Sequence, residues 1–170
     1  MEKNIYTEMG IQSREDCISN MLRYAFQYSE IFRKEFVKHV CEDEIIRYDW
    51  AEAQTRIHLG NSGIPDLVIV LKSNKRAKIV VIENKIKAEE GIDQTKRYSS
   101  ENSKDILRKR FLNGQTDVEF SFIFLTLFPD QRPEDSSGNW RLMCHRDIME
   151  FARPISDWDD FLAERLVSDW

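Results

Sequence analysis

The chain has 170 residues, of which 41% are hydrophobic and 32% charged, with a formal net charge of −5. That size and balance fit one globular domain with a core of ordinary proportions, and no apolar run is long enough for a membrane span. The charge is uneven: residues 72–110 carry twelve Lys or Arg against six Asp or Glu, leaving thirteen against twenty-four elsewhere. A basic segment inside an acidic chain can still meet phosphates locally, although on charge alone a solvated basic face is the simpler reading. The N-terminal stretch has acids and no apolar h-region, which argues against a secretory signal. Cys17, Cys41 and Cys144 are far apart and odd in number. They argue against a disulfide framework or a structural zinc and fit a reducing, cytoplasmic setting.

The first helix is predicted to begin at Ser13. Ser13-Arg14-Glu15-Asp16 has the form of a capping box, and Ile18, Met21, Leu22 and Ala25 follow at helical spacing. Ile31, Phe32, Phe36, Val37 and Val40 mark a second helix. The period then changes: Ala51, Ala53, Thr55, Ile57 and Leu59 alternate with Glu52, Gln54, Arg56 and His58, as in a strand with one solvated side. Gly60-Asn61-Ser62-Gly63 is a turn signal. The apolar run 67–71 predicts a buried strand, the polar stretch 73–76 a turn, and 78–86 the next strand. So short a turn implies an antiparallel hairpin. Helical patterns follow over 91–99 and over 103–113, the latter capped by Ser103. Residues 120–128 are the most apolar strand, ended by Pro129, with Phe120, Phe122, Phe124 and Phe128 read as core. A loop over 133–139, a short strand over 140–143, and helices through Ile148, Met149 and Phe151 and over 158–167 complete the chain. A central mixed sheet with helices on its faces buries these elements best.

Asp66 follows Pro65 at the start of one buried strand, and the next strand ends in Glu83-Asn84-Lys85. Residues two apart in a strand share a face, so Glu83 and Lys85 point one way and Asn84 the other. The hairpin can bring Asp66 beside Glu83, placing two carboxylates and an amine at one edge of an apolar sheet. Such groups are costly to bury unless paired or bound to a cation, and two carboxylates without a counter-charge repel. A divalent cation removes the conflict, and oxygen donors suit Mg²⁺ or Mn²⁺. The plainer alternative is a surface salt bridge between Glu83 and Lys85, with Asp66 as a turn residue. Gln94 and Tyr98, four apart on a predicted helix, can both face the same site. Glu15 lies in a first helical turn, where the dipole alone favours an acid. Lys87, Lys96 and Arg97 could hold a phosphate backbone or be ordinary solvated cations. His39, His58 and His145 show no ligand spacing and read as surface or core histidines.

Pro65-Asp66, one hairpin, then Glu83-Asn84-Lys85 resembles the signature of the PD-(D/E)XK nuclease superfamily, with a likeness covering residues 13–152. The resemblance implies an α/β fold: the restriction-endonuclease-like αβββαβ core, its central mixed sheet flanked by helices. It implies a single nuclease domain over 1–170, or the catalytic module of a longer protein or complex. It further implies that Asp66, Glu83 and the main-chain carbonyl of Asn84 bind Mg²⁺ or Mn²⁺, and that Lys85 assists the nucleophilic water. Several branches of the superfamily carry a Gln-x-x-x-Tyr pair beside the active site, the part Gln94 and Tyr98 would take. Some place a Glu on the first helix that touches the metal through water, as Glu15 could. The run Ile82-Glu83-Asn84-Lys85-Ile86 with Gln94 and Tyr98 resembles bacterial nucleases of antiviral defence or mobile elements. The expectation is metal-dependent hydrolysis of nucleic acid, DNA before RNA, away from membranes, as a homodimer or with partner subunits of a defence complex. Two rival readings are an inactive relative that only binds nucleic acid, and a protein-interaction subunit whose acidic surface engages a basic partner.

Overall fold

The computed structural model describes residues 14–86, 89–113 and 117–168. Helix α1 (Glu15–Tyr28) turns Ile18, Met21, Leu22, Ala25 and Phe26 to one side, the spacing of an amphipathic helix. The capping box expected at Ser13 falls outside the described residues. Arg14 holds the N-cap without a side-chain bond, while Glu15 and Asp16 supply first-turn negative charge. Ser29 then caps α2 (Glu30–His39) by accepting from Phe32 N at 3.2 Å.

Strands β1 (Trp50–Gln54), β2 (Leu67–Lys72) and β3 (Ala77–Lys85) form an antiparallel meander. β4 (Glu119–Thr126) and β5 (Trp140–Cys144) join it in parallel, so the sheet order is β1-β2-β3-β4-β5. The expected β2–β3 hairpin is present, with Lys72 opposite Ala77 and Leu67 opposite Ile82. Ser73 N closes its turn on Arg76 O at 2.8 Å. A parallel β3–β4 pair needs a crossover, supplied by α3 (Gln94–Tyr98) and α4 (Glu101–Leu112). Helices α5 (His145–Ala152) and α6 (Phe161–Ser168) end the described chain.

Alternation along the strands gives the sheet two apolar faces. Ile69, Leu71, Val80, Ile82, Ile123 and Leu125 share one core with residues of α1, α2, α5 and α6. Val68, Val70, Ile79, Val81, Phe122 and Phe124 share the other with Tyr98 and Leu107. All nine residues of β3 are buried, and each large aliphatic among them contributes about 1.5–3 kcal/mol of burial. No helix among the described residues is long and apolar enough to cross a membrane.

Four local expectations are corrected. The strand predicted through Leu59 stops at Gln54, and Arg56 takes a left-handed φ of 59°. This carries the chain across the sheet edge: Ala53 belongs to the α1 core, Ile57 and Leu59 to the opposite one. Alternation therefore reported burial there, not strand. Ser100, rather than Ser103, caps α4, accepting from Ser103 N at 3.3 Å. β4 ends at Thr126, leaving Phe128 54% exposed rather than in the core. The last helix starts at Phe161, not at 158.

Candidate active site

The hairpin register that sets Leu67 against Ile82 sets Asp66 against the strand end at Glu83. Where the main-chain ladder stops, Asn84 N donates to Asp66 Oδ2 at 2.8 Å. Glu83 and Lys85 share the face of β3 covered by α3. Lys85 Nζ lies 2.7 Å from Glu83 Oε1. Gln94 Nε2 donates to the same Oε1 at 2.7 Å and to Tyr98 Oη at 3.0 Å. Glu83 is 1% exposed and Lys85 6%, so the pair is an interior one and not the surface salt bridge of the plainer reading. Glu83 Oε2 is buried with no hydrogen-bond partner among the described residues.

The electrostatics follow from two acids facing one base. Burial, then repulsion from Asp66, pushes the Glu83 carboxyl up to about 8 against the pull of Lys85. Burial also pushes Asp66 up to about 6, although the Asn84 N–H and Lys85 oppose it. Burial works against the Lys85 ammonium, but Glu83 outweighs it and the amine titrates above its ordinary range.

The five-residue α3 that carries Gln94 and Tyr98 is too short to be stable alone. Thr95 pins it. Its N–H donates to Glu90 Oε1 at 2.6 Å, its Oγ1 accepts from Asp135 N at 3.0 Å, and its carbonyl accepts from Trp140 Nε1 at 3.2 Å. Tyr98 in turn packs against Gly63, where an added Cβ would lie 3.2 Å from Tyr98 Cε1 and Oη. Gly63 has φ 113° and ψ −152°, a conformation open essentially to glycine. Gly63→Ala is therefore expected to cost about 2–3 kcal/mol, read as a lower urea midpoint with an unchanged m-value.

Behind the site, Asn84 points to the α1 face. Its Nδ2 donates to Glu15 O at 3.1 Å and Ser19 Oγ at 3.2 Å, and its Oδ1 meets His145 Nε2 at 2.7 Å. His145 is a core histidine, and burial lowers its pKa to about 4. The Glu15 carboxylate accepts from Ile86 N at 2.7 Å, and its charge is felt by Asp66, Glu83 and Lys85. Sequence reasoning missed Ser19, Thr95 and His145: Thr95 lies inside the Gln-x-x-x-Tyr spacing, and His145 is 61 positions from Asn84.

Six of the twelve cations in the basic central segment are spent internally, Lys85 among them. Arg76 pairs with Asp43 at 2.9 Å, and Lys78 with Glu119, Lys96 with Asp93, Lys104 with Glu101 and Arg108 with Asp105, each at 2.7 Å. Lys87 falls outside the described residues, and Arg97 is exposed.

Among the described residues no group of three or more His, Cys, Asp or Glu side chains could hold a metal ion. The local donors are the carboxylates of Asp66 and Glu83. They nevertheless fit a hard divalent cation that keeps waters of its own: they are oxygens, when both are ionised their charge exceeds that of the Lys85 ammonium, and Glu83 Oε2 has no hydrogen-bond partner among the described residues.

A search of curated proteins and a search of solved structures each gave no significant match. A sequence profile of the PD-(D/E)XK nuclease superfamily matches residues 3–168. That match spans both the five-stranded mixed sheet and the Asp66, Glu83 and Lys85 cluster, and the chain belongs to the PD-(D/E)XK nuclease superfamily.

Proposed function

We propose that this protein hydrolyses phosphodiester bonds in DNA, using Mg²⁺ or Mn²⁺ held by Asp66, Glu83 and the main-chain carbonyl of Asn84. The observation that carries the reading is the division of roles at Glu83. Oε1 is fixed by Lys85 and Gln94, while the buried Oε2 has no hydrogen-bond partner among the described residues. Bound there, such an ion would lower the pKa of its water and offset charge on the phosphate. Lys85, held protonated by Glu83, would orient the attacking water and stabilise negative charge on the phosphate oxygens. Gln94 and Tyr98 act as positioning residues, one fixing the Glu83 carboxylate and the other fixing Gln94. Glu15 would act at one remove, through solvent at the end of β3. DNA as substrate, antiviral defence as the setting, a cytoplasmic location and assembly as a homodimer or with partner subunits rest on the resemblance of the Glu83 to Tyr98 region to defence-associated nucleases. On this reading residues 1–170 act as one nuclease domain.

The test is cleavage of circular plasmid, linear duplex and single-stranded DNA with Mg²⁺, Mn²⁺ or EDTA. Metal-dependent cutting is expected, lost in Glu83→Ala and reduced about 10²–10³-fold in Lys85→Ala. A folded wild type that binds DNA equally with and without metal and cuts nothing would favour an inactive binder. A folded wild type that binds neither metal nor DNA would favour the protein-interaction reading.

A further inference from the structure

A groove of about 680 Å³ lies between α1 and the edge strand β1, walled by Asn20, Arg23, Gln27, Tyr28, Thr55 and Arg56 among others. A smaller cavity of about 50 Å³ shares Asn20, Thr55 and Arg56 with it and reaches Asp66. The two adjoin at these residues, where Thr55 Oγ1 donates to Asn20 Oδ1 at 3.0 Å, and the smaller one borders Asp66.

Its cations differ from several arginines elsewhere in the chain. Arg47, Arg76, Arg108, Arg141 and Arg146 are all engaged by carboxylates. Arg23 and Arg56 have no ion-pair or hydrogen-bond partner among the described residues. Asn20, Arg23 and Gln27 recur every three to four residues and form one stripe of α1. Glu52, the carboxylate in the groove wall, is held by Gln54 Nε2 at 2.6 Å, and Asp16 belongs to the smaller cavity. At the far end Tyr28 is 58% exposed, its ring backed by Tyr24 at 4.6 Å between centroids.

Free arginines along a channel, ending in a supported and exposed aromatic ring, are what a single nucleic-acid strand requires. Its phosphates need cations, and its unpaired bases offer faces for stacking. A duplex would hide those faces from Tyr28. Asp16 to Tyr28 spans about 18 Å of helix, room for about five nucleotides at roughly 3.4 Å each.

We propose that the α1–β1 groove holds a single-stranded flank of the substrate, with phosphates on Arg23 and Arg56 and a base on Tyr28, and feeds that strand to Asp66. The proposal rests on the nuclease reading and adds the substrate's path and strandedness. The test is fluorescence anisotropy with labelled single-stranded DNA and RNA, about twelve or about three nucleotides long, in EDTA so that nothing is cut. A duplex of the same length is the control, and cleavage by each variant is followed in Mn²⁺. For the long single strands, the paired substitution Arg23→Ala with Arg56→Ala is expected to weaken binding at least about tenfold. It should also lower the slope of log K against log salt by about 1.4, the value for two single-strand phosphate contacts. Tyr28→Ala is expected to weaken binding about tenfold with the slope unchanged. The short strands should bind alike to all variants. Unchanged long-strand binding by the paired variant, with wild type still binding and cutting, overturns the groove and leaves the nuclease reading intact. Loss confined to the duplex overturns the single-strand path. A wild type that neither binds nor cuts overturns both.

Discussion

Glu83→Gln is expected to abolish cleavage and yet make the metal-free protein more stable at pH 8. The site holds two carboxylates against one ammonium, and burial makes the surplus charge costly. An unfolded glutamate titrates near 4.5, and folded Glu83 near 8. Between those values the folded chain binds the additional proton, so stability falls as pH rises. Asp66 acts with the same sign between 3.8 and about 6. Glutamine keeps the shape and an oxygen for Gln94 while removing the charge. The Lys85 ion pair is lost with it, so the net gain at pH 8 is about 1–2 kcal/mol, shrinking toward zero near pH 4.5. Urea melts in EDTA at both pH values would show it. Mn²⁺ should raise the melting temperature of wild type, since a ligand at 100 times its Kd adds about 2.7 kcal/mol, and should leave Glu83→Gln nearly unmoved. A variant less stable than wild type at pH 8 would mean that the Glu83–Lys85 pair is a structural bridge and not a strained ligand site. His145 opposes this trend: folded near 4 and unfolded near 6.5, it makes burial costly as pH falls through that window. His145 therefore offsets one of the two carboxyl losses where the windows overlap, and the fall in stability between pH 6.5 and about 8 is left to Glu83 alone.

Asn84→Ala is expected to cost about 3 kcal/mol, although Asn84 is the variable position of the motif. Its side chain is 1% exposed and joins the end of β3 to Glu15 O, Ser19 Oγ and His145 Nε2. Removing it takes a hydrogen-bond partner from Glu15 O, Ser19 Oγ and His145 Nε2 and loosens the strand end that sets Glu83 and Lys85. Ser19→Ala removes one arm of the same network and should cost about 1 kcal/mol, because Asn84 Nδ2 keeps the Glu15 carbonyl. An Asn84→Ala midpoint within about 0.5 kcal/mol of wild type would show that the network does not hold the site.

The Asp66, Glu83 and Lys85 cluster was legible because its determinants are local. A four-residue turn between two apolar runs leaves one register for β2 against β3, and a slip of one residue would turn every buried side chain to the wrong face. That register alone puts Asp66 at Glu83. The period of two puts Lys85 beside Glu83 and Asn84 opposite, and the period of a helix puts Gln94 and Tyr98 together. Boundaries were less legible, as at Ser103, where a serine three residues earlier took the cap.

By itself the sequence determined what short-range geometry controls: the two-faced central strands, the hairpin, and the placing of Asp66, Glu83 and Lys85 at its open end. Tertiary structure decided what depends on residues far apart. It placed β4 parallel beside β3 and β5 parallel beside β4, and carried Ile57 and Leu59 across the sheet edge to the second core. It bound Asn84 to His145 and pinned α3 through Thr95 to Asp135 and Trp140. It also divided the charge: six of the twelve cations of the basic segment are held in ion pairs, while Arg23 and Arg56, outside that segment, have no partner among the described residues and line the groove between α1 and β1. Net charge counts residues, whereas attraction for a phosphate depends on which cations folding has left without a partner.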